Sequence, residues 1–383
     1  MEIPDPGFNM PNRPPRIVID LEKLRHINCG LGRFSMHLGQ ELLRLAPGRF
    51  EPVFFLRPDT DRYFPAGGFD RIAVSSWKKE VFLRPLRPFV RPFLPPALID
   101  LWHTTNQMSK YLPLDDRVPV VLTIHDLTFL HETPHDEQLR KIERKLADIQ
   151  AKVDRASVIV TDSHYVANDV RAHLNLGDRP VHVVPLGLAD PSPSATTRPG
   201  FLADGPFVLS VGNCLAHKNF HVLFDLLDRL PGRRLVIAGK KATPYGDFLA
   251  REIIRRGLEG RAILTGEVSD ADRQWLYEHC EAFLFPSLTE GFGFPVLEAM
   301  QCGKPVFLSR TTCLPEIAAE NGFYFDSFDP AAMAAAYDAG MAAQRGDPGF
   351  ADRVRAHAAG YSWAETARGY LRAYESALAG NTA

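Results

Sequence analysis

The 383-residue sequence contains no run of about 20 apolar residues, the length a membrane-spanning helix needs. It also lacks a charge imbalance. Lys and Arg total 44 and Asp and Glu 46, a net charge of −2 that gives no reason to expect a nucleic-acid partner. Cysteine is scarce: Cys29, Cys214, Cys280, Cys302 and Cys313 are scattered, with no Cys-x-x-Cys pair. An odd, dispersed set argues against a disulfide frame or a zinc site and suits reduced core thiols in a cytoplasm. No Asp-x-Asp pair stands out as a metal site, and Asp115-Asp116 reads as a loop pair, so neither a metal nor another cofactor is expected. The opening MEIPDPGFNMPNRPP has no apolar stretch of the signal-peptide kind and reads as a short disordered lead-in.

What is present is alternation. Buried-type strand runs recur at Arg16–Asp20, Pro52–Leu56, Leu98–His103, Val118–His125, Ser157–Asp162 and Val181–Pro185. Helical spacing of apolar residues separates them, as in FSMHLGQELLRL. After the Pro-, Ser- and Ala-rich stretch 188–206, the runs FVLSVG, RLVIAG, AILTGE, AFLFPS and PVFLS resume the pattern. The expected class is α/β with two Rossmann-like domains whose parallel sheets face an interdomain cleft. Residues 1–187 form the first domain, 188–206 the linker and 207–361 the second. The closing helix, 362–383, carries Trp363, Ala367, Tyr370, Leu371 and Tyr374 on one stripe and is expected to rejoin the first domain.

Chemistry concentrates in FPSLTEGFGFPVLEAMQCGKP, residues 285–305. A strand exits into a loop carrying Gly291, Phe292 and Gly293, and Pro295 opens a helix that stops at Gly303. Backbone N–H groups of that loop, with the helix dipole behind them, suit a diphosphate. Glu290 and Glu298 bracket the loop, which is odd for phosphate alone. It makes sense if each carboxylate accepts hydrogen bonds from sugar hydroxyls; otherwise Glu298 decorates a helix and Glu290 assists its start.

The two glutamates, with seven residues between them in E-G-F-G-F-P-V-L-E-A-M-x-C-G-K-P-V, resemble the signature of the family 4 glycosyltransferases. The flanking Phe285-Pro286-Ser287 and Gly303-Lys304-Pro305-Val306 fit as well. The resemblance implies a retaining enzyme of the two-domain GT-B fold, with Glu290 on the donor sugar and Glu298 on the nucleotide ribose. It implies that Lys218, in His217-Lys218-Asn219 after Gly212-Asn213, reaches the diphosphate. His217 stands where the family usually has arginine, which exchanges a permanent charge for pH dependence. The turn Gly30-Leu31-Gly32-Arg33 resembles the family's glycine-rich first loop; Arg33 reads equally as a phosphate ligand on the acceptor side or a surface cation. His125 resembles a family histidine near the donor sugar, with Asp126 either orienting it or capping the next turn. His103 and Asn106 are expected to line the acceptor side. Val268, after Gly266-Glu267, is either a neighbour of the base or a core residue.

The implied reaction transfers a sugar from a nucleotide-diphosphate donor to a saccharide or lipid-linked acceptor, with His-Lys-Asn leaning toward mannose from GDP-mannose. Two other classes stay open: a catalytically silent GT-B partner that binds nucleotide or glycan, and a GT-B enzyme of different chemistry such as a nucleotide-sugar epimerase. Residues 77–93 interleave Lys78, Lys79, Arg84, Arg87 and Arg91 with Trp77, Phe82, Phe89 and Phe93. They suit either a peripheral contact with the inner face of a membrane or a proline-rich connection whose aromatics pack inward.

Overall fold

The computed structural model describes residues 13–27, 29–77, 98–131 and 136–380, with positions 79, 82, 85, 86 and 89. The chain divides into two compact units, Met1–Gly187 with Ser362–Ala383, and Leu188–Tyr361.

The first unit holds a seven-stranded sheet: β1 (Arg16–Asp20), β2 (Glu51–Leu56), β3 (Asp70–Ala73), β4 (Leu101–Thr104), β5 (Val120–Ile124), β6 (Val158–Thr161) and β7 (Val181–Val183). Its order is β3-β2-β1-β4-β5-β6-β7, with every pairing parallel. Every residue of β4, β5 and β6 is buried, as expected of strands covered on both faces. The connecting helices include α1 (Gly30–Leu45), α2 (Asp136–Arg155) and α3 (His164–His173). Ser163 caps α3, its hydroxyl accepting from Val166 N.

The second unit has six parallel strands: β8 (Phe207–Val211), β9 (Arg234–Ala238), β10 (Ala262–Gly266), β11 (Ala282–Phe285), β12 (Val306–Ser309) and β13 (Phe323–Phe325). They lie in the order β10-β9-β8-β11-β12-β13. Its helices are α4 (Val222–Asp228), α5 (Pro244–Arg255), α6 (Asp270–His279), α7 (Phe294–Gln301), α8 (Leu314–Ala318), α9 (Pro330–Gly346) and α10 (Phe350–Ala359). Thr243, Ser269 and Asp329 cap α5, α6 and α9 with side-chain oxygens, so these helices start where a polar acceptor meets their first free N–H groups.

Two strands lie outside the sequence expectation. β3 is a half-exposed edge strand reading DRIA, and β13 has three residues, so neither carries the apolar run of a buried strand. The stretch expected to be a free linker lies along the second unit: Leu188 N donates to Tyr361 O, Gln301 Nε2 to Ala189 O, and Ala195 N to Ala271 O.

The last helix, α11 (Trp363–Ala379), belongs to the first unit. Ser362 caps it, and Trp363, Ala367, Tyr370, Leu371 and Tyr374 are all buried. Its 3.6-residue apolar stripe is therefore spent on the first core.

Candidate functional site

In the second unit the strand order reverses between β8 and β11, the place where open α/β sheets receive ligands. Lys218 arrives from the β8 side, at the end of a 3₁₀ turn, Ala216–Lys218. Asn219 follows with φ 55°, a left-handed conformation asparagine tolerates, so the Asn of His-Lys-Asn has a backbone reason. Glu290 arrives from the loop after β11. The Lys218 ammonium donates to Glu290 Oε1 at 2.6 Å and lies 5.0 Å from the Phe285 ring centroid. The two side chains are 13% and 12% exposed, so the pair is shielded yet reachable. Leu288 N donates to His217 O at 2.7 Å and ties the two loops together.

The loop between Glu290 and α7 is held from behind. The Cys313 thiol donates to Phe292 O at 3.0 Å and to Glu290 O at 3.4 Å. Burial pushes this thiol well above its usual pKa, and the Glu290 charge adds to the effect, so it stays protonated and able to donate. Gly293 sits at φ +110°, where a side chain is strained, and opens α7 with Pro295 in its first turn. The Phe292 ring is buried, edge-on to Phe294 and Tyr361, so only its backbone is available outward; Gly291 is half-buried. Inside α7, half-buried Glu298 accepts a hydrogen bond at Oε2 from the Tyr277 hydroxyl, at 2.7 Å. Gly212 is half-buried at the end of β8; exposed Asn213 accepts from Lys240 N at 3.3 Å; Val268 is half-buried beyond β10.

The first unit turns its strand ends inward. His125, after β5, is 6% exposed; Nδ1 faces Asp162 Oδ2 at 2.6 Å and Nε2 faces Thr105 O at 2.9 Å. Burial opposes a charged ring, but the Asp162 carboxylate and the Thr105 carbonyl outweigh it and raise the His125 pKa above 6.5. With both nitrogens facing acceptors, the imidazolium fits. Asp162 orients this ring, not Asp126, whose carboxylate caps its own turn by accepting from Thr128 N and Oγ1. Both ring nitrogens of His125 thus face partners within the unit.

The reading of His103 as lining the acceptor side is corrected, because its ring is sealed inside the unit. His103 is fully buried, with Nδ1 against Tyr374 Oη at 2.8 Å and Nε2 against Thr123 Oγ1 at 2.9 Å. Burial, then the nearby His125 charge, push its pKa down to about 3, so it is neutral. Asn106 is 1% exposed and its Oδ1 accepts from Met108 N, closing its own turn. Gly32 lies under the preceding turn, where a Cβ would come within 2.1 Å of His26 O, so the first glycine-rich loop needs it for packing. Gly30 opens α1, where a Cβ would meet nothing within 4 Å, and Arg33 is half-buried.

Two family models cover most of the chain: glycosyltransferase family 4 over residues 30–190, and glycosyl transferases group 1 over residues 196–348. The chain belongs to the family 4 glycosyltransferases. It is 30% identical over 230 residues to the O-antigen chain mannosyltransferase B of Escherichia coli, covering 56% of this chain and 59% of that one. A second relative, the E. coli serotype-specific mannosyltransferase WbdA, is 32% identical over 184 residues. That match takes in 44% of this chain and 22% of WbdA, so less than two thirds of either relative's length is spanned. Among solved structures, Anabaena HepE in complex with UDP-glucose superposes with a TM-score of 0.66 at 17% identity, covering 94% of this chain and 99% of that chain. That likeness is of fold, and it is the GT-B fold of two Rossmann-like domains.

The structure thus brings Lys218 and Glu290 into contact and holds Glu298 on a neighbouring helix. Tyr277, Cys313 and Asp162 were invisible as site residues in the sequence. Among the described residues, no three His, Cys, Asp or Glu side chains converge as a metal site would require. No described helix is long and apolar enough to cross a membrane. Of the basic–aromatic stretch 77–93, Trp77 packs inward, 5.4 Å from the Trp102 ring, with Nε1 donating to Leu112 O. Phe82 and Phe89 are exposed, and the other residues of that stretch, apart from Lys79, Pro85 and Leu86, lie outside the described residues.

Proposed function

We propose that this glycosyltransferase moves a hexose, with mannose from GDP-mannose the favoured donor, to a hydroxyl of a saccharide or lipid-linked acceptor, retaining the anomeric configuration. The observation that carries this reading is the Lys218–Glu290 pair at the β8/β11 reversal, beside the start of α7. The acceptor oxygen bonds to the anomeric carbon while the bond from that carbon to the β-phosphate oxygen breaks. The acceptor proton passes to the departing phosphate. Negative charge grows on the diphosphate, and Lys218 with the N-terminal end of α7 meets it, the charge support a metal would otherwise supply. Glu290, released from Lys218, accepts from sugar hydroxyls, and Glu298 accepts from the ribose. His217, beside Lys218, and the backbone of Gly212, Asn213, Gly291 and Gly293 complete the donor contacts, with Val268 near the base. Gly30 and Arg33 are proposed on the acceptor side.

The mannosyltransferase relatives support the sugar, and the UDP-glucose complex of the HepE fold neighbour supports a nucleotide-sugar donor. The location that goes with this donor is cytoplasmic, peripheral to a membrane where the acceptor is lipid-linked. The test is a melting-temperature screen against GDP-, UDP-, ADP- and dTDP-sugars, followed by release of nucleoside diphosphate with candidate acceptors. A donor at 100 times its dissociation constant adds about 2.7 kcal/mol to stability, so one base should raise the melting temperature clearly. Binding without turnover would favour the silent-partner reading; no shift at millimolar donor would overturn the transferase reading.

A further inference from the structure

Tyr277 takes no part in the reaction above, yet its hydroxyl touches one of that reaction's carboxylates. It lies near the C-terminal end of α6, is 1% exposed, and packs its ring 5.7 Å from that of Phe283. Its hydroxyl donates to Glu298 Oε2 at 2.7 Å. Burial, and then the Glu298 charge, push the phenol well above its usual pKa of 10, so it remains a donor at every working pH. Glu298 itself projects from α7, whose Val296, Leu297, Ala299 and Met300 are buried around it. A free glutamate samples many rotamers; one whose Oε2 is held by a buried phenol has a single orientation, with Oε1 left to accept from elsewhere.

We propose that Tyr277 is a positioning residue that turns Glu298 into a fixed acceptor for a ribose hydroxyl, and so makes the donor site selective for ribonucleotides over deoxyribonucleotides. The inference rests on the reading of Glu298 as the ribose ligand. A loose carboxylate denied its ribose partner swings toward water at little cost. A held one stays beside the missing hydroxyl, and the deoxy ligand bears the penalty of an unpaired charge.

The experiment measures calorimetric affinity for GDP, 2′-deoxy-GDP and 3′-deoxy-GDP, and for the uridine set, on the full chain. Wild type, Tyr277→Phe, Glu298→Gln and the double variant are compared below their melting temperatures. Wild type is expected to favour the ribonucleotide about tenfold or more over at least one deoxy form. Tyr277→Phe should lose most of that preference by weakening the ribonucleotide alone, raising donor KM while kcat at saturation stays unchanged. In the Glu298→Gln background, Tyr277→Phe should change nothing further. Should Tyr277→Phe fold poorly, Glu298→Asp, which draws the carboxylate back from the phenol and leaves α6 intact, is expected to lose the same preference. A preference kept in Tyr277→Phe, or in Glu298→Asp, but lost in Glu298→Gln overturns the role of Tyr277 while sparing that of Glu298. A preference that survives Glu298→Gln overturns the ribose reading, and the inference with it.

Discussion

The two units share a strand order. Counted from each unit's first strand, both sheets run 3-2-1-4-5-6, and the first adds β7 at its far edge. Both therefore reverse between their first and fourth strands, and both have a crevice there by topology. What fills it differs. In the first unit Asp20 ends β1 fully buried, accepting from Ser109 Oγ and Glu22 N, and its pKa is raised to about 6 by burial against those bonds. Around it His103 and His125 spend both ring nitrogens on internal partners. In the second unit Lys218 and Glu290 pair with each other, their side chains 13% and 12% exposed. A satisfied buried network gives rigidity and resists exchange, whereas a single ion pair that keeps some exposure has only one bond to give up. One topology thus yields a sealed crevice and an open one, and the polar residues at the strand ends decide which.

The largest test of that contrast is Lys218→Met. Removing the open crevice's cation is expected to lower kcat/KM about 100- to 1,000-fold in a nucleoside-diphosphate release assay, with the melting temperature little changed. A loss of folding in place of activity would break the comparison. Next in size is His103→Phe in the sealed crevice, which strands the Tyr374 hydroxyl and leaves Thr123 with Tyr370 alone. Urea unfolding should show a loss of about 1–3 kcal/mol, while activity per folded molecule is retained. A selective rise in acceptor KM would return His103 to the site.

Acid should act on the first unit in a resolvable way. An unfolded His103 titrates near 6.5 and the folded one at about 3. As pH falls from 6.5 toward 3 the unfolded chain binds the extra proton and stability declines. Asp20 acts in the opposite sense, because its folded pKa of about 6 exceeds the ordinary 3.8. As pH falls from 6 toward 3.8 the folded chain takes its proton first and gains stability. Unfolding at pH 7, 5.5 and 4 should show a shallower acid loss in His103→Phe and a steeper one in Asp20→Asn, each relative to wild type. The smallest effect expected is Gly30→Ala. Its Cβ meets nothing within 4 Å, and alanine in a first helical turn should add a few tenths of a kcal/mol. A fall in turnover with stability kept would show that Gly30 faces a ligand.

The central strands were legible because strands covered on both faces read as unbroken apolar runs, and α11 because its stripe has the helical period. β3 was not, since its exposed Asp70 and Arg71 look like loop. Within the candidate site, Lys218, Glu290 and Glu298 stood out as charges around glycines, and the family resemblance supplied the roles expected of them. Tyr277 and Cys313 were not: each acts on a residue 21 to 23 positions away, a relation that only the packing of α6 and α8 against α7 creates. His103 misled for a related reason. A polar residue after a buried strand reads the same whether it faces a crevice or is sealed by a distant helix. The partner that seals His103 is Tyr374, 271 positions later.

That late partner bears on the order in which the protein can be made. The second unit is continuous between Leu188 and Tyr361 and emerges from the ribosome whole. The first is not complete until α11 has been synthesised and has returned Tyr370 and Tyr374 to the strands left waiting behind it. Until then His103 and Thr123 lack their hydroxyl partners, so the unit whose synthesis begins first cannot complete its packing before the whole of the second unit has been made.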